Sequence, residues 1–302
     1  MKPLIAVDWG TSSLRAALLD TQGQVVEEHR SGDGILSVPA GGYAPVFIAA
    51  CARWLRAPGT FCLMSGMVGS RQGWVEAPYC PCPAGFAELG AALAPVDAGL
   101  ANARVAIVPG LSCEHDGVPD VMRGEETQVF GALDLLGLDS GLFVLPGTHS
   151  KWVRVQDRRI ESFSTFMTGE FYALLRQHSL LARSLPAQEP ALDEDAFRRG
   201  LAQARQAGSL LRSAFSTRTL SLFDRLPAAA LPSYLSGLVI GEELRMHAAQ
   251  AANSAVVVIG APELTLRYRL ALAEAGVQAR CVGAEATWRG LWAIAQSVEA
   301  AT

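Results

Sequence analysis

Residues 8–15 read Asp8-Trp9-Gly10-Thr11-Ser12-Ser13-Leu14-Arg15. A short apolar run, residues 4–8, enters this stretch and ends at an acid. A second apolar run, residues 14–20, leaves it, and Gly10–Ser13 between them has the composition of a tight turn. Thr21-Gln22-Gly23-Gln24 is the next turn, before Val25-Val26. Strand, turn, strand, turn, strand is the grammar of an antiparallel meander.

The same grammar returns at an offset of 137 residues. Residues 141–160 contain Leu-Pro-Gly-Thr-His-Ser-Lys-Trp-Val, which lays Gly147 over Gly10, Thr148 over Thr11, Ser150 over Ser13 and Asp157 over Asp20. Two copies of a Gly-Thr-x-Ser hairpin, one opening each half, predict two similar domains. The expected division is 1–138 and 139–302, with the last helix free to pack back on the first domain. Further strands are expected at 61–64, 103–109, 255–260 and 279–282. Helices are expected at 170–183, 193–215, 231–252, 264–275 and 284–298, the last with Trp288, Leu291, Trp292 and Ala295 at core spacing. Residues 186–190 read as an exposed loop. The mixture is α/β.

Composition narrows the partners. Of 302 residues, 50% are apolar and 18% charged, and the formal charge is −4, so large cores are affordable and neither nucleic acid nor an anionic membrane finds a basic footprint. No apolar run approaches the roughly 20 residues of a membrane span. The N-terminus has no signal-peptide pattern. Six cysteines are too few for a disulfide scaffold, and Cys80-Pro-Cys82 has the wrong spacing for a zinc knuckle, so reduced thiols in the cytoplasm are expected.

The hairpins carry the chemistry. Glycine admits close approach of a ligand to the backbone, hydroxyls donate, and successive amides in a tight turn make an anion nest. An acid beside a phosphate nest is sensible when a divalent cation lies between them, which makes Asp8 a Mg²⁺ candidate, while Arg15 would neutralise phosphate charge. The second hairpin has the same Gly-Thr core without the acid, and carries Lys151 instead. Two phosphate-cradling hairpins, one with a metal acid, describe a nucleotide clamp. A P-loop, a Gly-x-Gly-x-x-Gly fingerprint and a Gly-x-Ser-x-Gly elbow are all absent. No His-x-x-x-His pair or Cys/His cluster is present for a transition metal.

These strings resemble the motifs of the actin/hexokinase/Hsp70 ATPase superfamily. Residues 8–15 resemble its phosphate-1 motif, Gly147-Thr148-His149-Ser150 its phosphate-2 motif, and Val256-Val257-Val258-Ile259-Gly260 its adenosine motif. Ser65-Gly66-Met67-Val68-Gly69 resembles the sugar-contacting segment of its sugar kinases. Gly124-Glu125-Glu126-Thr127-Gln128 stands where those kinases carry a catalytic Asp. More narrowly, residues 65–74, 122–128, 145–153 and 165–171 resemble the 2-dehydro-3-deoxygalactonokinase family.

That resemblance implies two actin-like (ribonuclease-H-like) domains with ATP and substrate in an interdomain cleft, and Mg²⁺ as cofactor. It implies transfer of phosphate from ATP to the 6-hydroxyl of 2-dehydro-3-deoxygalactonate in galactonate breakdown. The phosphates of ATP would lie on Gly10, Thr11, Ser12, Ser13 and Arg15 and on Gly147, Thr148, His149, Ser150 and Lys151. Gly260 and Ala261 would lie beside adenosine. Ser65, Gly66, Met67, Ser70, Arg71 and Trp74 would contact the sugar acid, with Arg71 pairing its carboxylate. A Glu pair replaces the Asp of larger relatives, and Glu126 is expected as the base ahead of Glu125. Asp8 would hold the metal. The residues leave open a kinase of another small sugar or aldonate and a non-catalytic sugar sensor. The sensor is disfavoured because the first strand begins at Leu4, and an actin-like polymerising ATPase is disfavoured by the sugar-contacting string. A possible homodimer is not readable from the residues.

Overall fold

The computed structural model describes residues 3–55 and 59–300. The chain divides into two units, one of Met1–Gly141, Val153–Ser164 and Val282–Thr302, the other of Leu142–Trp152 and Thr165–Cys281.

The first unit opens with the meander β1 (Leu4–Trp9), β2 (Leu14–Leu19) and β3 (Val25–Ser31), followed by α1 (Tyr43–Cys51) and β4 (Thr60–Ser65). Then come β5 (Tyr79–Pro81), α2 (Phe86–Ala91), β6 (Ala94–Pro95), β7 (Ala103–Ile107), β8 (Gly110–His115), β9 (Val118–Met122) and α3 (Glu125–Leu136). The main sheet has the order β3-β2-β1-β4-β7-β6, and β5-β8-β9 form a small separate sheet. Strand β1 pairs antiparallel with β2 and parallel with β4. In that register Asp8 faces Arg15 on one side and Ser65 on the other. Ser65, distant in sequence, is thus brought beside Asp8 and Arg15 at one end of the sheet. Ile5, Val7, Phe47, Met64 and Ile107 are buried in the core behind them.

The second meander is β10 (Gly141–Leu145), β11 (Ser150–Gln156) and β12 (Arg159–Phe166). It is followed by α4 (Thr168–His178), α5 (Glu194–Ala207), α6 (Leu210–Ser213), α7 (Ser216–Leu222), α8 (Leu231–Ala251), β13 (Val256–Ile259), α9 (Pro262–Glu274), β14 (Ala279–Val282) and α10 (Glu285–Ala300). This sheet has the order β12-β11-β10-β13-β14, with β10 and β13 parallel. Strand for strand, β12-β11-β10-β13 repeats β3-β2-β1-β4, so the internal echo of the sequence is realised as two sheets of one topology.

Several details differ from the sequence expectation. The division does not fall cleanly at 138/139, because the far end of the β11–β12 hairpin clusters with residues 84–88. Ala84 and Ile160 exchange backbone hydrogen bonds of 3.1 and 2.8 Å, and Arg159 donates to Glu88 at 2.9 Å. The helix expected over 193–215 breaks at Gly208, whose φ is +70°, and the one expected over 170–183 begins earlier, at Thr168, and stops at His178. Ser179 ends it, accepting the Leu181 N–H at 3.0 Å and donating to the Leu175 carbonyl at 2.5 Å.

Helix α10 lies against α3 in the first unit, and two glycines let the backbones touch. A Cβ added at Gly131 would sit 1.8 Å from the Ala286 carbonyl oxygen, and one at Gly290 would sit 1.9 Å from that of Thr127. Helices that close cannot separate for a methyl group without unpacking their neighbours. Gly290→Ala is therefore expected to cost at least about 1–3 kcal/mol, the usual price of overpacking a core, read as a lower midpoint in denaturant. A midpoint equal to wild type would show that α10 is free to shift. The Trp stripe on this helix is structural, as expected: Trp288 is buried and donates from Nε1 to Glu28 at 2.8 Å.

Candidate active site

The first hairpin is closed by the Gly10 N–H donating to the Ser13 carbonyl at 2.9 Å, and Thr11, Ser12 and Ser13 stand exposed at its tip. A segment that the sequence reading passed over supports it from below. Ile35 and Leu36 donate backbone N–H groups to the Gly10 and Thr11 carbonyls at 3.0 and 3.2 Å. Gly34 packs so closely that an added Cβ would lie 2.3 Å from the Ser12 backbone. The half-buried Asp8 carboxylate takes the Arg15 guanidinium on Oδ2, and that guanidinium also lies 5.5 Å over the Trp288 ring. Arg15 was expected on phosphate; here it is engaged by Asp8, its cross-strand neighbour.

Beside Asp8, strand β4 ends at Ser65 and turns at Gly66, whose φ of +97° suits glycine. A Cβ at Gly66 would approach the Trp9 carbonyl oxygen to 3.0 Å and Asp8 Oδ1 to 3.4 Å. Gly124, with φ +105°, packs against Gly66 in turn. Ser65, expected at the substrate, is buried, and its hydroxyl is bonded to Thr127 Oγ1 at 2.9 Å, so it braces the start of α3. Glu126 is 0% exposed. Its Oε2 accepts the Gly124 N–H at 2.7 Å and its Oε1 the Thr127 hydroxyl at 3.1 Å. Burial, followed by the nearby Glu125 charge, pushes its carboxyl up to about 8. Glu125 is half-buried and accepts the Arg123 backbone N–H at 2.9 Å.

The sugar-contacting string folds as a short 3-10 turn, Met67–Gly69, followed by an open loop. Arg71 is 87% exposed on its side chain and lies 3.6 Å from Glu76. Ser70 Oγ is buried without a partner, and Met67 is half-buried. Trp74, expected at the substrate, is half-buried and packs against the core. It stacks on Tyr43 with ring centres 6.2 Å apart and meets Trp9 edge-on. Arg123 ties this loop down, donating to the Ala77 carbonyl at 2.8 Å and lying 4.3 Å over the Tyr79 ring.

In the second unit, the N-terminus of α4 packs directly on the Gly147–Ser150 turn. A Cβ at Gly169 would lie 2.3 Å from the Gly147 carbonyl oxygen, and the Glu170 N–H donates to the Thr148 carbonyl at 2.9 Å. His149 is exposed, with Nε2 2.6 Å from Glu170. Ser150 and Lys151 are buried in β11. Behind the turn lies a buried acid the sequence reading missed. Glu243 on α8 accepts Trp152 Nε1 at 2.5 Å on Oε1, and the hydroxyls of Tyr268 (2.7 Å) and Thr168 on Oε2. Ser150 donates to Thr168 Oγ1 at 3.4 Å. Burial raises the Glu243 carboxyl, and the hydrogen bonds from Thr168, Tyr268 and Trp152 oppose that rise. The signal in the sequence was an acid at the end of the long apolar run of helix 231–252.

Thr168 and Tyr268 also line a cavity of about 260 Å³, with Gly147, Ile240, Leu264 and Arg267 among its other walls. Gly260 and Ala261, at the end of β13, start the helix whose Glu263, Leu264 and Arg267 face this cavity. The loop expected at 186–190 is pinned at its mouth. Glu189 accepts the Tyr172 hydroxyl at 2.8 Å and Arg267 Nη2 at 3.3 Å.

A family model described as 2-keto-3-deoxy-galactonokinase matches residues 8–294, from Asp8 through both hairpins and into α10. The chain belongs to the 2-keto-3-deoxy-galactonokinase family. It is 37% identical over 296 residues to the 2-dehydro-3-deoxygalactonokinase of Escherichia coli K12, covering 97% of this chain and 98% of that one. A crystal structure from Sinorhizobium meliloti, of a protein assigned as a 2-dehydro-3-deoxygalactonokinase, superposes with a TM-score of 0.90. It is 35% identical, and 98% of this chain and 99% of that one are covered. The fold extends further: the activator of a 2-hydroxyisocaproyl-CoA dehydratase from Clostridium difficile, solved with bound ADPNP, has a TM-score of 0.52. It is only 9% identical, over 99% of this chain and 97% of that one. The two sheets of one order are thus the actin-like arrangement.

A kinase of this family works with ATP and a divalent ion. Among the described residues no group of three or more His, Cys, Asp and Glu is placed to hold a metal alone. Asp8 fits the lesser demand of a nucleotide-borne ion, which takes one or two carboxylates and completes its shell with phosphate oxygens and water.

Proposed function

We propose that this chain transfers the γ-phosphoryl group of ATP to the 6-hydroxyl of 2-dehydro-3-deoxygalactonate in the cytoplasm. The observation that carries the reading is the family match over residues 8–294, which takes in both glycine-threonine hairpins. Among the described residues no helix is long and apolar enough to cross a membrane.

Phosphoryl transfer depends on positioning and on neutralising charge. The Gly10–Ser13 turn offers exposed hydroxyls and backbone amides to the phosphates, and the Gly147–Ser150 turn offers the exposed Thr148 hydroxyl and backbone amides from the second unit. Asp8 holds Mg²⁺, which supplies charge neutralisation on the phosphate oxygens when bound. The cavity beside α9 takes the nucleoside, its apolar walls Ile240 and Leu264 suiting a base. Arg71, free to swing in solvent from its weak pair with Glu76, receives the carboxylate of the sugar acid. Glu125 accepts the proton of the attacking hydroxyl. This reverses the order expected from sequence, because Glu126 has no exposed surface and both its oxygens are engaged within its own turn.

The reaction is tested by following ADP release from the purified chain with 2-dehydro-3-deoxygalactonate, its gluco epimer, gluconate, glucose and no acceptor. Release confined to the 2-keto-3-deoxy acids is expected. A higher rate with glucose would make it a kinase of another sugar, and no release with any acceptor would favour the sensor. Arg71→Ala is expected to raise KM for the sugar acid about tenfold or more, because a hydrogen bond to a charged group contributes about 1.5–3 kcal/mol, and to leave KM for ATP within twofold. Equal sugar-acid KM in variant and wild type would remove Arg71 from the site.

A further inference from the structure

We infer that Glu243 sets the hydrogen-bond polarity of the cavity lined by Thr168 and Tyr268, so that at least one of those hydroxyls can only accept from a guest. The inference rests on the reading of this cavity as the nucleoside site.

Trp152 Nε1 can only donate, and it donates to Glu243 Oε1 at 2.5 Å. Oε1 is therefore an acceptor, and any proton on this carboxyl resides on Oε2. Oε2 meets two hydroxyls, those of Tyr268 at 2.7 Å and of Thr168. A carboxylate accepts from both. A protonated acid donates to one and accepts from the other. In either state at least one of these hydroxyls gives its single hydrogen to Glu243 and keeps only lone pairs for anything else. Thr168 is already offered a hydrogen by Ser150 at 3.4 Å, which agrees with its proton lying towards Glu243. Both residues are buried walls of the cavity. A guest that bonds to the hydroxyl committed to Glu243 has to bring a donor.

ATP brings donors of two kinds, the 6-amino group of adenine and the ribose hydroxyls. ITP differs from ATP in carrying a 6-oxo acceptor at the first position, and 2′-deoxy- and 3′-deoxy-ATP lack one hydroxyl each. Glu243→Gln reverses the polarity with almost no change of shape. Trp152 keeps the amide oxygen in the Oε1 position, so the NH₂ group takes the Oε2 position and donates to both hydroxyls. Their hydrogens are then turned towards the cavity.

The test is kcat/KM for ATP, ITP and the two deoxy-ATPs, in wild type and Glu243→Gln, at saturating sugar acid and with a thermal melt of each protein. Wild type is expected to prefer ATP by about tenfold or more over the analogue that lacks the recognised donor, as sites built around a buried hydrogen bond do. Glu243→Gln is expected to lose most of that preference while KM for the sugar acid stays within twofold. Loss of the ATP:ITP ratio assigns the donor to the 6-amino group, and loss of an ATP:deoxy-ATP ratio assigns it to the ribose. Unchanged ratios in a folded variant overturn the inference. If Glu243→Gln does not fold, Thr168→Val and Tyr268→Phe replace it, and retention of every preference by both overturns the inference equally. Leu264→Trp, which fills the cavity, separates the two layers. An unmoved KM for ATP rejects the nucleoside reading, whereas a raised KM with ratios insensitive to Glu243 rejects only the polarity.

Discussion

Asp8→Asn is expected to lower kcat by about 10³-fold or more, the scale of losing a principal electrostatic partner of a transferred phosphoryl group. Asp8 is the sole acid within either hairpin motif. Its place at the end of β1, against Gly66 and across from Arg15, is set by the registers of two strand pairs. Asparagine preserves the shape and removes the charge, so the metal contact is lost and the turn is kept. The fold should tolerate the change, because asparagine keeps an oxygen that can accept from the Arg15 guanidinium. The measurement is kcat as a function of Mg²⁺ concentration, with a thermal melt as control. Turnover near wild type with the same Mg²⁺ dependence would exclude Asp8 as the metal acid. A variant that melts far below wild type would show instead that Asp8 is a structural counter-ion for Arg15.

The meanders were legible because strand pairs joined by tight turns announce themselves locally. Residues 4–26 need no distant partner to be read, and their echo at 141–160 doubles the signal. The separate sheet of β5, β8 and β9 was not legible. Strand β5 has three residues, one of them proline, and exists because β8 lies beside it. Helix breaks were missed for a related reason. Residues 193–215 keep helical spacing throughout, and only the left-handed conformation adopted at Gly208 ends α5.

The site was legible where a short string does the work, and illegible where burial decides. The hairpins, the turn at Gly66 and the pair Glu125-Glu126 are contiguous. Trp74 and Ser65 are expected as substrate contacts because they sit inside the right string, and the string does not show what else their side chains hold. Ser65 faces Thr127, 62 residues away, and Trp74 faces Trp9, Tyr43 and Phe47. Glu243 lies 91 residues from Trp152 and 75 from Thr168, and nothing local says that an acid in an apolar helix will collect them.

Glu125→Gln is expected to lower kcat by about 10²–10⁴, the usual contribution of a general base, with KM for the sugar acid nearly unchanged. Its neighbour is expected to behave differently. A base has to touch the hydroxyl it deprotonates, and Glu126 has no surface to offer: its oxygens hold the Gly124 N–H and the Thr127 hydroxyl. Glutamine can keep the first of these bonds, and the Thr127 hydroxyl can turn to accept from the amide. Glu126→Gln should therefore retain kcat within about tenfold of wild type, well short of the loss of a base. Its signature lies in stability. Burial lifts this carboxyl from the ordinary 4.5 to about 8. Between those values the folded chain holds a proton that the unfolded chain has released, so stability is greatest below the lower value and falls as pH rises through the upper one. Glutamine has no proton to lose. The melting temperature of Glu126→Gln should accordingly fall less than that of wild type between pH 5 and about pH 8, the remaining fall including the part due to Glu243. An inactive Glu126→Gln beside an active Glu125→Gln would return the base to Glu126, and two active variants would remove it from this turn.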